Sequence, residues 1–144
     1  MKYKTAELTG ELLDAAVALA EGRLVTEADE HPAQPGYYLK TRKEWGEHIV
    51  RWFAREGENA DGPETDEEGG WEPLSAWGSP STDWGDGGPL IDRYDIQLGG
   101  YGATRSAEIR DDSKLWVHQW GSTSLEAAMR ALVAWKLGEE VELP

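Results

Sequence analysis

The densest set of groups able to do chemistry lies between Ser79 and Pro89. Ser81, Thr82 and Asp83 place two hydroxyls and a carboxylate at consecutive positions, and Trp84 adds a stacking face. Gly85, Gly87 and Gly88 follow, and residues without a Cβ let backbone amides come close to a ligand. Such a loop could hold the ribose hydroxyls and base of a nucleotide, with Arg93 or Arg105 neutralising phosphate. It lacks the Gly-Lys-Ser/Thr ending of a phosphate-binding P-loop. The plainer reading carries more weight. It is a structural turn in which Ser81, Thr82 and Asp83 bond their own backbone, the glycines take left-handed angles and Trp84 plugs the core.

Trp116, His118 and Trp120 recur with a period of two, which puts them on one face of a strand. Burial of that face is the first expectation; left uncovered, it would be an exposed aromatic patch and an interface. Other chemistries find little support. Asp83, Asp86 and Asp92 do not have the alternating spacing and terminal Glu of a calcium loop. His31, His48 and His118 lie too far apart in the chain for zinc-ligand spacing. There is no cysteine, which excludes disulfides and thiolate metal sites. No Gly-x-Ser-x-Gly elbow is present, and nothing singles out a catalytic pair among 28 acidic residues. No catalytic residue, metal ligand or cofactor is therefore assigned.

The chain of 144 residues has the length of one domain, spanning 1–144. A hydrophobic fraction of 39% with eight Trp supplies a core. The net charge of −14 repels DNA phosphates and anionic lipid, so direct nucleic-acid or membrane binding is not expected. Solubility, a basic protein partner and nucleic-acid mimicry are the remaining readings of the charge, with solubility first. Much of it is local. Glu56, Glu58, Asp61, Glu64, Asp66, Glu67, Glu68 and Glu72 stand among Gly and Pro with no base between them, which reads as a flexible acidic loop over 57–72. Without it the surface is milder, which weakens mimicry. No apolar run follows Met1-Lys2-Tyr3-Lys4, and none is long enough to span a bilayer, so the cytosol is the expected compartment.

The elements that must position these residues follow from periodicity. Residues 2–8 suit a short strand or extended entry. Thr9 is placed to cap a helix from Gly10, with Leu12, Leu13, Ala16, Val17 and Ala20 as its apolar stripe and Gly22 as its stop. Strands are expected at Arg23–Thr26 and around Tyr37-Tyr38-Leu39. Thr41 and Glu44 form a capping-box pair ahead of Trp45, Ile49, Trp52 and Phe53, which predicts a third helix in the middle. A strand over Ile49–Phe53 is the competing reading. Leu90-Ile91 and Tyr94–Leu98 look extended, and Gly99-Gly100 looks like a break. Residues 104–110 and 114–120 predict a hairpin around Asp111-Asp112-Ser113. Thr123 and Glu126 form another capping box, ahead of a helix with Leu125, Ala128, Met129 and Leu132 on one face, widened by Val133 and Trp135, and Gly138 as its stop. The expected fold is α+β: a small, mainly antiparallel sheet packed with an N-terminal and a C-terminal helix.

Three segments, Met1–Gly22, Ser79–Asp92 and Gly121–Pro144, resemble in residues, order and spacing the NinX family of phage and prophage proteins, named for the nin region of lambdoid phages. They cover somewhat less than half of the chain. Residues 40–76 are longer and more acidic than the family pattern, and Gly121-Ser122-Thr123-Ser124 stands where the family tends to have Gly-Pro-Thr-Pro. The resemblance implies a phage-borne cytosolic protein not needed for capsid structure, and brings no activity with it. Over fewer residues, Ser81-Thr82-Asp83 and Asp92-Arg93-Tyr94 are similar to stretches of small phage proteins that sequester nucleotide-derived immune signals, such as Thoeris inhibitors. The expected function is a non-enzymatic accessory protein that binds and modulates a host protein through its acidic surface or aromatic patch. A sponge for a nucleotide-like signal at the 79–89 loop ranks second, and a small carboxylate-based enzyme last. The sequence leaves self-association open.

Overall fold

The computed structural model describes residues 1–23, 25–27, 36–42, 46–52, 71–74, 78–110 and 116–143. Most of the acidic 57–72 loop, together with Glu44, Trp45, Phe53 and the tip of the 104–120 hairpin, lies outside the described residues. The described elements run β1 (Lys2–Lys4), α1 (Gly10–Ala20), β2 (Val25–Glu27), β3 (Gly36–Arg42), β4 (Gly46–Trp52) and β5 (Trp71–Pro73). They continue with α2 (Trp84–Arg93), β6 (Gln97–Tyr101), β7 (Thr104–Arg110), β8 (Trp116–Gly121), α3 (Ser124–Leu137) and β9 (Glu140–Glu142). The α+β class is as the sequence predicts, but the described strands form three sheets. β1 pairs with β9, β6–β7–β8 form an antiparallel meander, and β2–β4–β3–β5 form a sheet whose β2–β4 pair is parallel.

The core is the contact of α1 with α3 and of α3 with the meander. Leu13, Ala16 and Val17 from α1 meet Ala128, Met129, Leu132 and Val133 from α3, and Ala107 and Ile109 of β7 close the other side. α1 is buried beyond its predicted stripe: Ala15 and Ala18 are also fully buried, small side chains that let another element lie close. The chain ends are tied together. The Met1 ammonium donates to the Leu143 carbonyl at 2.9 Å, the Leu143 amide donates back to the Met1 carbonyl at 3.0 Å, and the Thr5 hydroxyl donates to the Gly138 carbonyl at 2.7 Å. Among the described residues, no helix is long and apolar enough to cross a membrane.

Four local expectations are corrected. The helix read from Thr41 and the Trp45–Phe53 spacing is a β-hairpin: Thr41 lies in β3, opposite Glu47 of β4. Of the aromatic run, Ile49 pairs with Leu39 and Trp52 with Gly36, so β-prone residues in register outweigh the helical period. Trp71 and Glu72, read from the sequence as the end of the acidic loop, belong to β5. The third helix is α2, in the glycine-rich segment read as a loop, and it includes Leu90 and Ile91. Asp83 explains it: its carboxylate accepts the Gly85 amide at 2.7 Å as N-cap, and the Asp86 carboxylate reaches back to the Ser79 amide at 2.9 Å. Pro89 sits inside α2, and Gly99-Gly100 continue β6 rather than breaking it.

Candidate functional site

The three described α-helices begin around one groove of about 630 Å³. α1 contributes Thr9 and Gly10, the turn into α2 contributes Ser81, Thr82 and Trp84, and the start of α3 contributes Ser122 to Glu126. Arg105 of β7 completes it.

Each wall has a sequence-level cause. Gly10 takes a φ of 57°, in the left-handed region that favours glycine. Thr9 stands at the N-cap position with its carbonyl accepting the Leu13 amide at 3.4 Å, but its side chain makes no cap bond to α1. This corrects the expected cap. The Thr9 hydroxyl instead donates to Glu126 Oε2 at 2.8 Å, joining the start of α1 to the start of α3. Thr123 does cap its helix, accepting the Glu126 amide at 3.1 Å. Glu126 Oε1 accepts the Ser122 amide at 3.0 Å and lies 3.3 Å from Arg130 Nη2. Arg130 continues outward, donating to the carbonyls of Leu8 and Trp120, both at 2.8 Å. Burial pushes the Glu126 carboxyl up, but the Ser122 amide, the Thr9 hydroxyl and the Arg130 guanidinium outweigh it and hold the group below the usual carboxylate range.

The 79–84 turn is tied down from beneath. The Ser81 amide donates to Asp14 Oδ1 of α1 at 2.9 Å. Burial raises the Asp14 pKa, the bonds from Ser81 lower it, and the charges of Glu11 and Asp86 raise it further, leaving it above its usual value. Gly87 explains how tightly α2 sits. A Cβ there would stand 2.4 Å from the Pro80 carbonyl oxygen and 2.6 Å from Leu125 Cδ2. Gly121 does the same for β8, where a Cβ would lie 2.7 Å from the Ala127 amide nitrogen.

The predicted site residues separate into three groups. Ser81, Thr82 and Trp84 line the groove. Trp84 is 56% exposed and does not plug the core, so that part of the structural reading is corrected. Asp83 caps α2, Gly87 serves packing, and Gly88 is a helical residue with open space at its Cβ position. Arg93 sits at the far end of α2, roughly 13 Å along the axis, beside Glu21 at 3.7 Å. Of the two arginines considered for phosphate, Arg105 is the one at the groove. Reasoning from sequence missed Thr9, Ser122, Thr123 and Glu126 as groove residues. The cap signal at Thr9 and the Thr123–Glu126 capping box each mark a helix start, but not which other helix starts beside it.

A second surface lies on the meander. α3 packs on one face of β6–β7–β8, and Trp116, His118 and Trp120 stand on the other, with Trp116 57% and Trp120 49% exposed. The expected burial of this face is corrected. The rings order one another: His118 stacks on Trp120 with centroids 4.8 Å apart and meets Trp116 edge-on at 5.8 Å. Trp116 Nε1 donates to Glu108 Oε2 at 2.6 Å.

No curated protein matches the chain. The model of the family described as bacteriophage P22 NinX matches residues 4–136. That span contains α1, α2, the meander and nearly all of α3, and so the whole groove and the aromatic face. The chain belongs to the bacteriophage P22 NinX family.

Proposed function

We propose that this phage accessory protein works by binding, and that the groove between the three helix starts holds a small nucleotide-like ligand from the host. One observation carries the reading: an exposed Trp84, the hydroxyls of Thr82 and Ser122, and Arg105 share one concavity of about 630 Å³. That volume is within the roughly 300–1,000 Å³ of small-molecule sites, and a flat ring with hydroxyls and one cation matches a base, a sugar and an anionic group. Binding is favoured over catalysis by the groove's own carboxylate. Glu126 is held as an anion by an amide, a hydroxyl and a guanidinium, an arrangement that suits a structural acceptor better than a general acid or base near neutral pH.

A second reading rests on a different observation, the exposed ladder of Trp116, His118 and Trp120. An aromatic face on a chain of net charge −14 suits a basic host protein. One experiment addresses both: native mass spectrometry of the protein purified gently from infected cells. The ligand reading expects an added mass of a few hundred daltons on the order of a nucleotide, lost in Trp84→Ala. The protein-partner reading expects a co-purifying host protein, lost in the Trp116→Ala/Trp120→Ala double variant. All these rings are exposed, so both variants should remain folded. Bare protein from infected cells would sink both readings.

A further inference from the structure

We infer that the groove selects a ligand with a single anionic group, a nucleoside monophosphate in class, over polyphosphates. The inference rests on the groove being a ligand site. Arg105 is the one Lys or Arg among the groove's described lining residues, and it makes no ion pair among the described residues. Its direction is built in by Gly100. A Cβ at that position would stand 3.2 Å from both Cδ and Nη1 of Arg105, so the side chain lies against β6 where another residue would put its own.

The other anion-attracting groups near the groove already serve protein carboxylates. The Gly85 amide at the start of α2 donates to Asp83, and the Ser122 amide and Arg130 serve Glu126. Glu126 itself lines the groove. A first phosphate on the ligand therefore gains Arg105, in the charge-assisted contact that guanidinium makes well. A second would find no further described cation and would share the groove with Glu126, on a chain already at −14. Trp84 offers its face to the base and Thr82 its hydroxyl to the sugar, while the Ser122 hydroxyl donates to Glu126 Oε1 at 3.2 Å and is left to accept.

The test is isothermal titration of the full chain, at one ionic strength and without divalent metal, with adenosine, guanosine, cytidine and uridine, their monophosphates and their triphosphates. At least one monophosphate should bind about tenfold or more tightly than both its nucleoside and its triphosphate. Arg105→Gln should erase the advantage over the nucleoside and leave nucleoside binding in place, whereas Trp84→Ala should weaken both. Both side chains are exposed, and a thermal melt of each variant verifies folding. A triphosphate that binds as tightly as the monophosphate, with binding still lost in Trp84→Ala, overturns the charge selection and leaves the groove reading standing. No binding of any of these probes to the folded chain overturns both.

Discussion

The groove and the outer face of the meander both present tryptophan to solvent, but by different means. Trp84 stands at the first turn of a helix wedged against its neighbours, and the wedge depends on residues that have no side chain. Trp116 and Trp120 stand on a strand whose opposite face is packed on α3, and their order comes from the His118 between them. One surface is concave, with its shape set by backbone contacts. The other is a row of side chains on a strand, ordered by contacts between their rings. The difference teaches which kind of partner each suits: a small molecule needs walls that do not yield, while a macromolecule can settle onto exposed aromatic side chains.

The most severe way to break this contrast is Gly87→Ala. The added methyl would meet backbone oxygen at 2.4 Å and Leu125 Cδ2 at 2.6 Å, so α2 must move. A loss of about 2–3 kcal/mol in stability is expected, toward the upper end for overpacking. Denaturant melts would measure it. Ligand binding in the groove should fall, while the meander's amide chemical shifts should change little beyond β7 and β8 near Gly121. An unchanged midpoint would mean that α2 has slack, and the rigid-wall argument would fail.

A milder contrast separates the two threonines at the groove rim. Thr123 caps α3, and Thr123→Ala should cost about 1 kcal/mol. Thr9 looks like the same residue in the same place but caps nothing, so Thr9→Ala should cost less, about 0.5 kcal/mol for one exposed hydrogen bond to Glu126. Hydrogen exchange at the first amides of each helix distinguishes the roles. Faster exchange at the start of α1 in Thr9→Ala, equal to that of α3 in Thr123→Ala, would show that Thr9 caps after all.

How far the sequence reveals this site follows from the range over which each signal acts. α1 and α3 are legible because their stripes and glycine stops, and the Thr123 cap of α3, are local, and the hairpin of β7 and β8 is legible from its alternation. The Trp45–Phe53 run misleads because a helical spacing of aromatics also fits a strand, and only the pairing of β4 with β3 and β2 decides. α2 is hidden for a related reason. Glycine and proline argue against a helix one residue at a time, while the Asp83 and Asp86 caps and the tight seat of Gly87 argue for it together. The groove is legible in part. Ser81, Thr82 and Trp84 announce themselves by type, but Thr9 and Glu126 stand 117 positions apart and meet only when α1 and α3 pack.

The smallest effects are also the most diagnostic, because two carboxyls near the groove respond to pH with opposite signs. Glu126 is held below its usual value of 4.5, so its contribution to stability is fully present above that value and is lost as pH falls through the folded-state pKa. Asp14 is held above its usual value of 3.8, chiefly by burial, so its charged form weighs against the fold at neutral pH and acid relieves it. Glu126→Gln should therefore melt below the parent at pH 7, with the gap closing toward pH 3. Asp14→Asn keeps an oxygen for the Ser81 amide and should melt above the parent at pH 7, its advantage shrinking as the parent's Asp14 takes up a proton. Thermal melts across this range compare the two directly. If both variants moved the same way, the groove rim would be responding to net charge alone, and the assignment of Glu126 as a bonded anion above a buried Asp14 would not hold.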